Sequence, residues 1–360
     1  MSKVVTGIDR SGSFRVYVTI TTDTVAKAAE IHKTTPLATA GLGRVLTGAG
    51  LMGLMLKNEG DRLTVQFKGD GPAGQILATA DGRGNVKGYI ANPDVDLPLT
   101  DRGKLDVGGS LGIGQLTVIK DLGLKEPYMG QIDLVSGEIA DDLTAYYYIS
   151  EQQNTSIALG VKIDVDYSVK AAGGLFIQML PDAQEGAIDA LEAMIADMKP
   201  LTSIIEDVQA AGAGKSDTGL VEALMDEIFK DMPEDYRVSK LAEAEINWHC
   251  DCSVERLEKA LMTIGVKDLK EIVGRADGLL QKYEDIMTLI EMAYEEEDED
   301  LAAEIGEELR TFTSEFDDLR ITTMLTGEYD DSNAILTLHA GAGGTESCDW
   351  ASMLCRMYQR

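Results

Sequence analysis

Residues 62–82, RLTVQFKGDGPAGQILATADG, contain the pattern that decides the fold. Near the start of this segment apolar residues alternate with polar ones, at Leu63, Val65 and Phe67. Alternation with a period of two indicates strands that bury one face. The turn residues at 69–72 (Gly-Asp-Gly-Pro) and 81–82 (Asp-Gly) lie where antiparallel strands would reverse. The segment therefore predicts neighbouring strands of an antiparallel sheet.

Similar patterns extend on both sides of this segment. Upstream, a second apolar alternation consists of Phe14, Val16, Val18 and Ile20. Residues 35–57 are rich in Ala and Gly and predict a buried helix, and a second helix is expected near 140–150. These elements indicate an α+β domain over residues 1–181, with helices packed on an antiparallel sheet.

The hydrophobic period changes to that of a helix after residue 181. One apolar stripe includes Ile188, Leu191 and Met194 and stops at Pro200, and a later stripe includes Leu220, Leu224 and Ile228. The segment 210–219, AAGAGKSDTG, has the composition of a flexible joint. We expect residues 182–240 to form an amphipathic helical linker that can lie on another surface.

Charge and composition limit the classes of partner. The net charge is −30, with 62 acidic and 32 basic residues, so a nucleic-acid backbone would be repelled over most of the surface. Residues 37–56 are the most membrane-like window, but many Ala and Gly residues and Arg44 favour a buried helix. The first dozen residues lack the apolar core of a secretory signal. We therefore expect a cytoplasmic protein without a nucleic-acid or membrane partner.

The character of the chain changes near residue 279. Residues 279–330 contain 17 acidic and 3 basic residues, a net charge of −14. Within them the apolar residues Ile305, Leu309, Phe312, Phe316 and Leu319 are spaced 4, 3, 4 and 3 apart. This spacing predicts acidic, coiled-coil-like helices that form a hairpin. Residues 331–360 read as a strand, a glycine turn and a helix, the start of an incomplete domain.

Two motifs could indicate enzyme chemistry, and both favour a structural role. Residues 48–53, GAGLMG, fit the glycine pattern of a dinucleotide-binding turn, but the preceding residues predict a helix where that turn needs a strand. Small residues that allow close helix packing are the favoured interpretation. His32, His249 and His339 are not accompanied by a hydrolase motif. The sequence therefore predicts a protein that is not an enzyme.

Cys250 and Cys252 are the most chemically suggestive pair of side chains. They lie in WHCDC, residues 248–252, whereas Cys348 and Cys355 lie far along the chain. Two thiolates one residue apart can ligate one Zn²⁺, and on oxidation they could instead pair with each other. The pattern favours metal or redox chemistry over ordinary core packing. A structural zinc site takes four ligands, and the residues alone do not supply the other two.

Residues 1–278 resemble the 33 kDa chaperonin family. The resemblance rests on four long segments: NPDVDLPLTDRGKLDVGGSLG (92–112), VIKDLGLKEPYMGQIDLVSGEIADDLTAYYYISEQ (118–152), AAGGLFIQMLP (171–181) and WHCDCSVERLEKAL (248–261). It implies a redox-regulated, ATP-independent holdase that binds unfolding proteins and prevents their aggregation during stress. Its expected partners are unfolded client proteins, with a homodimer on activation as a further possibility.

The resemblance also assigns a role to the cysteines. In that family four thiolates hold zinc in the reduced state, and their oxidation to disulfides releases the metal and unfolds the linker. Cys250 and Cys252 match the first pair of ligands, and the second pair is absent from the positions after residue 278. Residues 241–278 are therefore expected to be a truncated zinc segment, in which zinc binding is weak or lost.

The remaining residues resemble a different family. LLQKYEDIMTLIEMAYEEEDED (279–300) and the sequence from residue 315 to 360 are similar to bacterial peptide chain release factors of the second type. The matched part lacks the Gly-Gly-Gln loop on which peptide release depends in that family. A fragment of a translation-termination factor, docking on a ribosome or partner, is the alternative function.

Overall fold

The computed structural model describes residues 2–101, 103–212, 214–250, 253, 266–296 and 299–324. The chain divides into two units, residues 1–251 and 252–360. In the first unit, the strands are β1 (Ser2–Asp9), β2 (Phe14–Ile20), β3 (Arg62–Gly69), β4 (Gln75–Asp81), β5 (Asn85–Ile90), β6 (Gly114–Asp121), β7 (Tyr128–Asp133), β8 (Thr155–Ile163), β9 (Val169–Met179) and β10 (Val238–Trp248). Its helices are α1 (Thr22–His32), α2 (Pro36–Leu54), α3 (Val107–Leu111), α4 (Ala140–Ile149), α5 (Glu185–Asp197), α6 (Leu201–Ala211) and α7 (Asp217–Ile228).

The strands form one sheet in the order β7-β6-β3-β4-β5-β10-β1-β2-β9-β8. The predicted reversals hold, since β3 pairs antiparallel with β4 and β4 pairs antiparallel with β5. The prediction of an antiparallel sheet is wrong at one pair: β10 runs parallel to β5 through Asn247 and Trp248. Because β10 also pairs antiparallel with β1, this late strand joins the two halves of the sheet.

Helix α2 is the centre of the core on one face of the sheet. It begins at Pro36, after Thr35 accepts a hydrogen bond from the amide of Ala38 at 3.3 Å. Its length and composition would suit a membrane span, but 89% of its apolar window is buried inside the protein. The buried helix predicted for residues 35–57 is therefore confirmed.

The glycines of GAGLMG serve close packing within α2, as predicted. A Cβ atom on Gly50 would lie 2.9 Å from Ile246 Cδ1, and one on Gly53 would lie 2.8 Å from the Ala80 side chain. Both contacts are closer than carbon atoms tolerate, so only glycine lets the helix approach strands β10 and β4 this closely. The helix continues through the motif, which removes the turn that a dinucleotide would need.

On the opposite face, the part of the sheet formed by β1, β2 and β9 is covered by α5, α6 and α7, which we call the linker helices. Strand β2 is consequently buried on both faces, with Val16 and Val18 toward the linker helices and Tyr17 toward α2. The prediction that β2 is half-buried is therefore wrong, because helices pack on both sides of it. Strand β3 keeps the predicted alternation of buried and partly exposed residues.

The second unit contains two long helices within its described residues, α8 (Val266–Glu296) and α9 (Glu299–Met324). Their contact buries Leu279, Ile286 and Leu319. Lys282 Nζ donates to both carboxylate oxygens of Glu315, at 2.5 and 2.6 Å, and ties the helices together. The seam predicted on α9 is only partly covered there, since Leu309 and Phe316 are about half exposed.

Candidate functional site

The covered face of the sheet is an apolar surface that displacement of the linker helices would expose. The side chains of this face are fully buried or nearly so, namely Val5, Phe14, Val16, Val18, Leu175 and Ile177. The side chains of α6 and α7 that pack against them share the same cluster: Leu201, Ile204, Ile205, Val208, Val221, Leu224, Met225 and Ile228. Apolar burial holds the linker helices in place.

The fit between the linker helices and the sheet is close. A Cβ atom on Gly173 of β9 would lie 2.6 Å from Ile205 Cδ1, and one on Gly7 of β1 would lie 2.9 Å from Met225 Sδ. The ring of Phe14 stacks on Phe229, just after α7, at a centroid distance of 6.3 Å. Glycines on the strands thus let α6 and α7 sit directly on the sheet.

Ion pairs at the rim supplement the apolar contact. Lys162 of β8 donates to Glu206 of α6 at 2.6 Å, and this contact lowers the pKa of the Glu206 carboxyl. Lys240 of β10 donates to Glu222 of α7 and to Glu243 of its own strand. The hydrogen bond from Lys240 lowers the pKa of Glu243. Lys240 therefore connects a linker helix to the strand that precedes the cysteines.

A groove opens between α5 and the end of α7. It has a volume of about 430 Å³ and is lined by apolar residues, Met194, Met198, Ile204 and Ile228 among them, with Lys199, Lys230 and Asp231 also contributing. Met194 and Met198 are partly buried and pack against the covered cluster. Small molecules can therefore reach the linker helices beside their apolar contact with the sheet.

Exposed apolar side chains also gather at the β7 edge of the sheet. Met129 of β7 is 63% exposed, and Tyr148 and Ile149 at the end of α4 are 68% and 59% exposed. Tyr128 donates from its hydroxyl to the Ser150 carbonyl at 3.3 Å and joins α4 to this edge. This edge adds uncovered apolar surface to the same sheet.

Strand β10 positions the first cysteine. The amide of His249 donates to the Val86 carbonyl at 3.0 Å, which fixes the chain immediately before Cys250. Trp248 meets the His32 ring edge-on at 5.9 Å between centroids. Cys250 is exposed, while Cys252, Cys348 and Cys355 lie outside the described residues. The structure thus places one thiol of the predicted pair at the surface, at the end of a sheet strand.

The described residues do not assemble a metal site. Within that part of the chain, no group of three or more His, Cys, Asp and Glu side chains could hold a metal ion. The predicted ligands Cys250 and Cys252 supply two thiolates, whereas a structural zinc site takes four ligands. Cys250 and Cys252 by themselves therefore do not make a complete zinc site.

Sequence reasoning missed α6, which supplies a central part of the linker helices. The sequence does contain the pattern of this helix. Directly after Pro200, apolar residues follow helical spacing, at Leu201, Ile204, Ile205 and Val208. The covered face was predicted in part. Phe14, Val16 and Val18 were identified as an apolar stripe, but the sequence did not show that the linker helices lie on it. The flexible joint predicted at 210–219 coincides with the break between α6 and α7.

Known proteins resemble this chain over most of its length. The 33 kDa chaperonin of Alkaliphilus oremlandii is 44% identical over 271 residues, covering 75% of this chain and 86% of that protein. The 33 kDa chaperonin of Clostridium tetani is 44% identical over 285 residues, covering 78% and 92%. The crystal structure of the 33 kDa chaperonin of Thermotoga maritima superposes with a TM-score of 0.64 at 32% identity, covering 77% of this chain and 89% of that one.

Two family models match the chain, and their matches overlap at residues 251–280. Residues 251–360 match the PCRF domain, which starts earlier than the boundary at 279 drawn from the sequence. Residues 2–280 match the model described as Hsp33 protein. Because that match covers most of the chain and relatives 44% identical support it, the chain belongs to the Hsp33 family, and it carries a PCRF domain match at its C-terminal end.

Proposed function

We propose that this chain is a redox-regulated, ATP-independent holdase that binds unfolded proteins on the sheet face beneath the linker helices. The observation that carries the proposal is the apolar cluster shared by that face and α5, α6 and α7. A surface of this kind recognises exposed apolar segments of many different clients, since burial of apolar area is not directional. It needs no catalytic group and no nucleotide, so we propose a protein that is not an enzyme.

The linker helices are suited to removable packing. They are 11 to 13 residues long, and isolated helices of that length are marginal in water. Their helical state therefore depends on contact with the sheet. Once that contact is lost, the helices would unfold and leave Val16, Val18 and Leu175 open to a client.

The redox part of the proposal rests on the cysteines and on the family. When bound, zinc would cross-link the segment after β10 and support its fold. Cys250 and Cys252 form half of the expected ligand set, so we propose that zinc binds weakly or not at all. In that case the packing and ion pairs of the linker helices alone hold the reduced, closed state, which would be less firmly closed than in a chain with four ligands.

Partners and location follow the same proposal. The client is any unfolding polypeptide with exposed apolar segments, encountered in the cytoplasm under stress. We also propose a homodimer on activation, because an opened sheet face can bind a second opened copy as well as a client. Sedimentation of oxidised protein with and without client would detect it.

The test is light scattering of a heat-unfolding client, measured with reduced and oxidised protein, with and without ATP, together with zinc content. We expect protection that is independent of ATP and stronger after oxidation, partial protection by reduced protein, and substoichiometric zinc. Absence of protection in every condition would refute the holdase. Stoichiometric zinc with a fully inactive reduced state would refute the weakened switch.

The PCRF match favours a second candidate, a release-factor fragment that docks on a ribosome or partner. Residues 279–330 carry a net charge of −14, which favours a basic protein surface over RNA as the contact. Co-sedimentation of the chain with ribosomes would support this candidate. Charge reversal at acidic positions of α9, such as Glu307→Lys and Glu308→Lys, should then abolish it.

A further inference from the structure

Four methionines lie in or just after the linker helices: Met194 in α5, Met198 after α5, Met225 in α7 and Met232 after α7. Two are buried, Met225 at 2% and Met232 at 5% exposure. The other two, Met194 and Met198, are partly buried and line the groove of about 430 Å³ beside α5. The groove gives a small oxidant access to Met194 and Met198, while packing encloses the other two.

We propose that Met194 and Met198 are an oxidant-modification site through which hydrogen peroxide opens the linker helices without the cysteines. This inference rests on the proposed function, because it concerns the release of the same covered face. A lone pair of the thioether sulfur attacks one oxygen of hydrogen peroxide, the O–O bond breaks, and a sulfur–oxygen bond forms. Water leaves with both hydrogen atoms, the sulfur is oxidised by two electrons, and the peroxide is reduced.

The product changes the packing of α5. A methionine sulfoxide carries a strongly polar oxygen in place of an apolar sulfur. Both side chains pack against a cluster that includes Leu191, Ile204 and Ile228, where a buried polar oxygen without a donor is unfavourable. The oxidised side chains are therefore expected to turn toward solvent and take α5 away from this cluster. The neighbouring α6 and α7 would then lose apolar contacts along one side.

Exposed methionines elsewhere provide a matched control. Met129 on β7 is 63% exposed, so peroxide reaches it at least as readily. It lies apart from the cluster under the linker helices, since that cluster contains residues of β1, β2 and β9 and of the helices. Oxidation of Met129 should therefore leave the linker helices in place.

The experiment uses the full chain with Cys250, Cys252, Cys348 and Cys355 replaced by Ser, treated with hydrogen peroxide. Peptide mass spectrometry locates the sulfoxides, limited proteolysis reports opening of residues 182–237, and light scattering reports client protection. We expect sulfoxide at Met194 and Met198, cleavage about tenfold faster, as for a shift of roughly 1.4 kcal/mol in the opening equilibrium, and client protection. Methionine sulfoxide reductases should reverse all three.

The variants decide the outcome. M194L/M198L should abolish peroxide-induced cleavage and protection, M129L should retain both, and M194Q/M198Q should open the linker helices without peroxide. Sulfoxide formation at both positions without faster cleavage would overturn the inference, and so would absence of sulfoxide there while Met129 is oxidised.

Leu191→Ser, which loosens α5 without methionine chemistry, separates the two claims. If the L191S variant protects the client and the peroxide-treated chain does not, only the methionine site is refuted. If L191S opens the linker helices and still does not protect the client, the proposed function is refuted.

Discussion

Ile205 shows how single side chains hold the linker helices on the sheet. It is completely buried, and its Cδ1 lies where a side chain on Gly173 of β9 would otherwise sit. A buried isoleucine contributes through the apolar area it removes from water and through the cavity its loss would leave. The contact of α6 with β9 is therefore sensitive to the size of this one residue.

Replacement of Ile205 by Ala should open the linker helices without oxidation. Removal of a buried Ile side chain costs about 2–5 kcal/mol, which is large compared with the stability of a short helix docked on a surface. We expect faster limited proteolysis of residues 182–237 and client protection by reduced protein. Ile188→Ala, in the same linker but at 38% exposure, is the control and should cost about 1 kcal/mol or less. Equal behaviour of the two variants would contradict the role of Ile205.

At the scale of residues, the sequence predicts which side chains are buried wherever their spacing along the chain is sufficient to show it. The apolar stripe at Phe14, Val16 and Val18 and the structural role of Gly50 and Gly53 were predicted correctly. The second layer over that stripe could not be predicted, because Tyr17 also lies in an apolar environment and one strand pattern does not reveal how many helices will cover it. The metal role of Cys250 and Cys252 stays a prediction.

At the scale of elements, strand β10 connects the linker helices to the segment that contains Cys250. It lies between β1 and β5 in the sheet and ends at Trp248, two residues before Cys250. Its Lys240 contacts Glu222 of α7, and Lys3 of β1 contacts its Glu245. A disturbance that starts at the cysteine segment can therefore reach a linker helix through one strand.

Acid should loosen this connection. The hydrogen bonds from Lys240 and Lys3 lower the pKa values of Glu243 and Glu245. A carboxyl whose pKa is lowered in the folded state stabilises that state above its ordinary pKa of 4.5, and this contribution is lost as the pH falls through the lowered pKa. Because Glu243 also accepts a hydrogen bond from the hydroxyl of Thr218 in α7 at 3.4 Å, we expect hydrogen exchange in α7 to rise as the pH falls below about 4.5, after correction for the intrinsic rate. A change confined to the range above pH 6 would contradict this assignment.

Lys240→Met should produce the same loosening at neutral pH. Both ion pairs are exposed at the surface, so the effect should be small, roughly a threefold rise in exchange of α7. Lys230→Met is the control, because Lys230 lies just after α7 and pairs at 2.8 Å with Glu227 of α7, three residues earlier, and not with β10. If K230M loosens α7 as much as K240M does, the link through β10 has no special role.

Elements with strong local patterns were predictable, and elements defined by distant pairing were not. Helices α2 and α4 were found near their observed bounds, since composition and period indicate them. Strand β10 crosses the boundary drawn at residue 240 between linker and zinc segment. Its partner β1 lies 229 to 244 residues earlier in the chain. Local sequence does not show such pairing. The domain boundaries at 181, 240, 278 and 330 remain predictions.

The whole molecule consists of two units with different kinds of core. The first encloses a sheet between two apolar clusters, whereas the second is described by two acidic helices with a narrow buried seam. Because client binding is proposed for the first unit, damage to the second should not abolish it.

Leu279→Ala should destabilise α8 and α9 without loss of client protection. Leu279 is 8% exposed within their contact, whereas its neighbour Leu280 is 66% exposed. We expect Leu279→Ala to lower the free energy of unfolding of these helices by about 2 kcal/mol or more, and with it their unfolding temperature. Leu280→Ala should have little effect. Circular dichroism at increasing temperature and client light scattering measure the two properties. Loss of protection in L279A alone would show that the second unit takes part in client binding.

Hydrogen–deuterium exchange of the oxidised chain, with and without a bound unfolded client, tests the central claim most directly. We predict that α5, α6 and α7 lose protection on activation while α2 keeps it, and that client binding slows exchange in β2 and β9. If α5, α6 and α7 stay protected while the client is held in solution, the sheet face beneath them is not the client-binding surface.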